Sequence, residues 1–326
     1  MSDHDRVESA LAGVLDAADS ALRETEAYLS SPETAASLAR DPYWPKWNTP
    51  WWRITVLAEL DLAERVPPAA ARALLEAARA RYIDHFPFRE EDVPSGVDPV
   101  RGILCHCALG TLDRVLSACG LDVDRELPWV RGWYRKYALP DGGYNCDEAV
   151  YVRSRPTSSM VSTLPPLEAL LSRGVLTAED EAILDGGARY LLDRKLCRSL
   201  SKGGALIDPA WLEPTFPRFY NYDVLRGLTF VSRWAERRGR RLPAAAVVEA
   251  VEALSSRTSS DGTLPVARRA WQGEGTRAQA SDGAWTRGHT ERSFPLLEQV
   301  SRLGRPSARL TAEWHATARR LATVTD

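Results

Sequence analysis

The sequence is short of lysine and sulfur and has no long apolar run. Four lysines occur in 326 residues (Lys46, Lys136, Lys195 and Lys202), and arginine supplies the rest of the 42 basic side chains. Against 44 acidic residues the formal net charge is −2, which provides no bulk attraction to nucleic acid or to anionic lipid. No window approaches the roughly 18 to 20 uncharged apolar residues of a membrane-crossing helix, so no membrane span is expected. Acidic residues in the opening MSDHDRVESALAG argue against a signal or transit peptide. The five cysteines (Cys105, Cys107, Cys119, Cys146, Cys197) are odd in number and include no C-x-x-C pair. A reduced, cytoplasmic chain is the expectation. Runs that alternate with period two are scarce, and no convincing strand is read.

What is present is helical. Val7, Leu11, Val14, Leu15, Ala18 and Leu22 recur at helical spacing over residues 5 to 30, and Ser31-Pro32 ends that run. An aromatic and proline-rich loop, Asp41 to Trp52, leads into the helix WWRITVLAELDLAERV. Pro50 stands where a first-turn proline is tolerated, and Thr49 is a candidate N-cap. Further helical stretches are PAAARALLEAARARYIDHF, RGILCHCALGTLDRVLSACG, PWVRGWYRKYAL, AEDEAILDGGARYLLDRKL, DVLRGLTFVSRWAERRG, PAAAVVEAVEALSSR and SARLTAEWHATARRLATV.

The most informative stretch is Leu139 to Gly174: a Pro-Asp-Gly-Gly turn, an aromatic, a polar loop and a hydroxyl-rich lead into an apolar helix. A weaker version of this order recurs. One series of helices begins near Trp51, Arg101, Ser158, Asn221 and Ser307, and glycine-bearing turns precede the last three. Gly120, Gly174 and Gly239 stand where helices end. Each unit is therefore read as two antiparallel helices with a turn. Such a unit buries its faces only by stacking on neighbours.

Asp141-Gly142-Gly143-Tyr144, Ser162-Thr163, Leu167-Glu168-Ala169-Leu170 and Gly174 together resemble the repeat of the terpenoid cyclase and protein prenyltransferase superfamily. Asp282 to Trp285 with Gly304 to Thr311, Trp44 to Trp52 and Tyr220 to Leu228 look like bacterial squalene-cyclase-like proteins. The resemblance covers roughly residues 40 to 325. It implies an all-α (α/α)6 toroid over residues 39–326, with residues 1–38 as an N-terminal helix packing outside the ring. Pro165-Pro166 departs from the repeat, because proline inside a helix costs about 3 kcal/mol. The helix there is expected to start at Pro165.

The motifs that carry chemistry in that superfamily are weak here. The nearest match to D-x-D-D is Asp122-Val123-Asp124-Arg125-Glu126, which reads as an acidic helix start. Glu90-Glu91-Asp92 reads as solvated loop, and no magnesium motif is present. Cys146-Asp147 with a distant His289 resembles a zinc set only in residue type. Cys105, His106 and Cys107 are read as buried helix residues, since neighbouring positions on a helix point about 100° apart and cannot share one metal. No metal and no cofactor are therefore expected.

The candidates left are polar groups at the starts of the inner helices. Asp223, Asp147 and Cys146 are the candidates for chemistry, with Asp223 or Asp147 as proton donor or acceptor. Trp51, Trp52, His106, Tyr222, Arg226 and Arg309 are the candidates for holding a substrate. Asp223 and Arg226, three apart, are expected on one helix face. Trp44, Trp47, Trp51 and Trp52 form a candidate aromatic wall able to stabilise a cation.

The expectation is a cyclase-like enzyme using acid–base chemistry on an apolar or isoprenoid molecule in a central cavity, without cofactor. The alternatives are a non-catalytic toroid that binds or scaffolds and, on fold analogy alone, a carbohydrate-active (α/α)6 enzyme. Oligomeric state is not readable.

Overall fold

The computed structural model describes residues 19–271, 274–290 and 292–326, with the backbone alone at Glu274. Most of the helix expected over residues 5–30, and of the 1–38 segment, lies outside the described residues. In chain order the elements are α1 (19–29), α2 (Pro32–Arg40), α3 (Pro50–Glu59), α4 (Pro68–Arg81), α5 (His106–Ala118), α6 (Val123–Glu126), α7 (Trp129–Tyr137), α8 (Met160–Leu171), α9 (Ala178–Asp193), α10 (Val224–Arg238), α11 (Ala244–Ser255), β1 (Glu274–Gln279), β2 (Trp285–Thr290), α12 (Pro295–Val300) and α13 (Ala308–Val324). The chain is predominantly helical, and among the described residues it contains no helix long and apolar enough to cross a membrane. It divides into two compact units. The first takes in the chain up to Ala80 together with Trp271–Arg302, and the second takes in Arg81–Ala270 and Leu303–Asp326.

In the first unit Pro50 occupies the first turn of α3, as its missing N–H allows. Thr49 stands at the N-cap, but its hydroxyl donates to the carbonyl of Pro42 at 2.8 Å rather than capping the helix. Trp51 and Trp52 are fully buried and stacked, with centroids 5.9 Å apart, and Tyr43 meets both edge-on. Arg53 is buried between the rings of Tyr28 and Phe294, at 4.0 and 4.4 Å, and reaches Glu24.

The strand reading needs correction here. β1 and β2 form an antiparallel hairpin closed by residues 280–284, where Gly283 takes φ +87° and Asp282 accepts from the N–H of Ala284. Most of β2 is exposed, so turn chemistry and ladder bonds hold the hairpin and no apolar alternation marks it. The short helix α12 also carried no assignment from the sequence.

In the second unit α5 packs most extensively on α8, and α10 on α13; α8 and α10 also meet, while α9 packs against α7, α8, α10 and α11. α8 begins at Met160 and runs through Pro165 and Pro166, so the expected start at Pro165 is not observed. The prolines survive because ten of the twelve residues of α8 are buried and α5 lies directly against their backbone. Gly110 makes that approach possible: a Cβ there would lie 2.3 Å from the carbonyl carbon of Pro165. Gly142, at φ +98°, similarly brings the Asp141–Gly143 turn against the backbone of Gly186 on α9. Thr177 and Asp180 form a capping box on α9. Asp223 caps α10, Gly239 ends it in the left-handed region, and Ser307 caps α13.

Candidate functional site

The polar residues picked from the start of α10 belong to a buried charge network. Asp223 lies in extended backbone at the N-cap, outside the helix, so the spacing rule for a shared helix face does not govern it. Its carboxylate accepts from the N–H of Arg226 at 2.8 Å, the N–H of Thr215 at 3.0 Å and Nε of Arg218 at 2.8 Å. The Arg226 guanidinium turns elsewhere. Nε and Nη2 bind both oxygens of Glu168, while Nη1 binds the carbonyls of Phe219 and Asn221. Arg114 adds a contact to Glu168 at 3.3 Å, and Arg218 joins Asp223 to Glu313. Thr229 also donates to Glu313, at 2.8 Å.

Burial alone would raise the Glu168 carboxyl, but Arg226 and Arg114 override it and hold it down at about 2. Glu313 is likewise held down by Arg218, with Arg309 contributing from the first turn of α13. These carboxylates are ionised and occupied. They join α5, α8, α10 and α13, and none is poised to give up a proton. Tyr222 is buried, donates to the carbonyl of Leu196 at 2.6 Å and packs edge-on against Trp211. Its observed contacts are structural. The acidic run after Gly120 is structural too: Asp122 caps α6, and Asp124 pairs with Arg131 and Arg173.

A second assembly forms where the focal loop meets the start of α5. Cys105 is not helical; it is the N-cap, with φ −76° and ψ 163°. Being outside the helix, Cys105 escapes the helical step of about 100° per residue, so its sulfur can meet that of Cys107 while His106 faces Trp133 and Tyr151. The two sulfurs are 3.2 Å apart, and the N–H of Cys107 points at the sulfur of Cys146 at 3.5 Å. All three sulfurs lie within 4.8 Å of one another. The assumption of continuous helix hid this arrangement in the sequence, and Cys105 and Cys107 were missed for that reason. Cys146 is fixed by its own N–H, which donates to Ser162 of α8 at 3.0 Å. Neighbouring Tyr144 donates to Thr163 at 2.9 Å. Cys107 and Cys146 donate to Cys105 and pull its thiol well down, while Cys107 is pushed up by the same contact and Cys146 by burial.

His106 is fully buried behind the sulfurs. Its Nδ1 accepts from the indole N–H of Trp133 at 2.9 Å, which leaves Nε2 to carry the proton and face Tyr151 Oη at 2.9 Å. Burial pushes its pKa down to about 4. Phe86, Tyr137 and Tyr144 pack around the ring, and the half-buried rings of Phe88 and Tyr151 stack at 4.7 Å. Asp147, beside Cys146, points to solvent, accepts from the N–H of Ala149 and pairs with Arg153.

A hollow of ligand size lies in the first unit. A cleft of about 720 Å³ opens among α2, the loop after it and the hairpin, lined by Arg40, Trp44, Thr276, Trp285, His289 and Arg292 among others. Small-molecule sites commonly measure about 300–1,000 Å³. His289 is half-buried there, with Nε2 2.7 Å from the hydroxyl of Thr286. Trp51 and Trp52 do not line this cleft; they are core.

Comparisons with family models, with curated proteins and with solved structures found no match.

Proposed function

We propose that the chain is an enzyme of the squalene-cyclase and prenyltransferase type, an (α/α)6 toroid that performs acid–base chemistry on an apolar, isoprenoid-like small molecule. The turn-and-helix motifs support the fold reading. So does the packing of alternate helices, α5 on α8, α8 on α10 and α10 on α13, with α7, α9 and α11 forming a second series. The observation that carries the binding reading is the cleft in the first unit. Two tryptophans offer apolar walls, while exposed Arg292 offers a cation for an anionic end; Arg40, also in the lining, is paired with Glu33 at 2.8 Å. His289 is the group there suited to pass a proton. Asp223 is left out of the mechanism because three donors occupy it.

The test is titration of the purified protein with farnesol and with farnesyl diphosphate, following tryptophan fluorescence, then mass spectrometry of the recovered ligand. Saturable quenching, weakened about tenfold by Trp285→Ala, is expected. Conversion of the ligand should be lost in His289→Gln while binding is kept. Absence of saturable binding to the wild-type chain overturns the proposal.

A second reading, a non-catalytic toroid that binds or scaffolds, is favoured by the saturation of the buried carboxylates. It predicts a ligand that binds and is recovered unchanged.

A further inference from the structure

We infer that Cys105, Cys107 and Cys146 form the binding site of a zinc ion. The inference stands on the sulfur geometry of the second unit and does not rest on the isoprenoid reading. Three sulfurs at about 2.3 Å from a tetrahedral zinc ion lie roughly 3.8 Å from one another. One observed pair lies at 3.2 Å and all three within 4.8 Å, so ligation changes each separation by no more than about an ångström. Cys105 lies at the N-terminus of the 13-residue α5, where the helix dipole favours a thiolate. The N–H of Cys107 points at the sulfur of Cys146, and Ser162 pins the backbone of Cys146. Such outer hydrogen bonds orient ligands at metal sites.

Zinc suits the donor set because thiolate sulfur is soft and the site must tolerate tetrahedral geometry. On ligation each thiol gives up its proton to solvent, so three thiolates and Zn²⁺ leave a net charge of −1. Among the described residues no fourth His, Cys, Asp or Glu joins the group. His106 is turned away and engaged by Trp133 and Tyr151. The fourth position is therefore open to water or to a substrate atom, which is the pattern of a reactive zinc rather than a structural one. Cys105 and Cys146 are half-buried as residues, and Cys107 is buried.

The experiment uses the full chain, stripped with a chelator under reducing conditions and titrated with Cd²⁺ as a spectroscopic probe of thiolate ligation. A thiolate-to-metal charge-transfer band should grow and stop at one ion per chain. In the folded chain one equivalent of Zn²⁺ should slow the reaction of Cys105 and Cys146 with a thiol reagent, read by mass spectrometry of the labelled peptides, and should leave the rate at half-buried Cys119 unchanged. Cys105→Ser, Cys107→Ser and Cys146→Ser should each weaken binding about tenfold or more. Cys119→Ser should bind as the wild type does. The wild-type band and protection decide the matter even where a serine variant fails to fold. Absence of the band in the wild type, or an undiminished band in folded Cys146→Ser, overturns the inference.

Discussion

Glu168 on α8 and Arg226 on α10 form a two-point ion pair, with the carboxylate oxygens bound at 2.8 and 2.7 Å. Arg226 is 2% exposed and Glu168 15%, so the pair is shielded from solvent screening. It ties the two helices together through a carboxylate that must stay ionised.

Acid should therefore loosen this joint. The Glu168 carboxyl is depressed from 4.5 to about 2 in the folded chain. Its contribution is complete above the unfolded value and is lost as pH falls through the folded one. The shift corresponds to roughly 3 kcal/mol at full development. Urea unfolding between about pH 5 and pH 2 should show this loss. Glu168→Gln should be less stable at neutral pH and flatter across that window. An unchanged pH slope in the variant counts against the pair.

Asp223→Ala should act on stability rather than on chemistry. It removes the N-cap of α10 and leaves Arg218 with one carboxylate partner fewer in a buried setting. Breaking a buried pair typically costs about 3–5 kcal/mol. Denaturant unfolding measures it; a variant of wild-type stability that has lost turnover would restore Asp223 to the reaction.

Gly110→Ala should force α5 and α8 apart. The added Cβ would lie 2.3 Å from backbone atoms of both Pro165 and Pro166, which have no side-chain freedom with which to yield. Overpacking of this kind costs about 1–3 kcal/mol or more. Thermal melting should fall accordingly, whereas Gly132→Ala, with nothing within 4 Å, should not show that loss.

Two tryptophans in different settings should separate by experiment. Trp51 is fully buried, and Trp51→Ala should cost about 3–5 kcal/mol of stability. Trp285 is half-buried at the cleft, so Trp285→Ala should leave the melting temperature nearly unchanged and weaken ligand binding. Parallel melting and fluorescence titrations check both.

Much of the helical scaffold was legible in the sequence because its signals are local. Pro50 at a helix start, Gly239 at a helix end and Ser307 at a cap each act within one turn. The hairpin was hidden because its strands bury too little to alternate, and the true start of α8 because proline cost is visible locally while the contact with Gly110 is not. Of the candidate residues, Cys146 and His106 fall in one assembly, and Asp223 and Arg226 in another, where Asp223 meets the backbone of Arg226 while the Arg226 guanidinium binds Glu168.

What the sequence by itself determined, then, is where most of the helices form, where several of them stop and which faces are apolar. These follow from backbone propensity and period over a few residues. Tertiary structure alone decided which charges meet, since Arg226 finds Glu168 fifty-eight positions away. It also decided that three thiols converge, because Cys105 lies outside the helix and its sulfur meets that of Cys107, and the focal loop carries a third to them. Side-chain chemistry is written locally, but the distance between reactive atoms is set by packing.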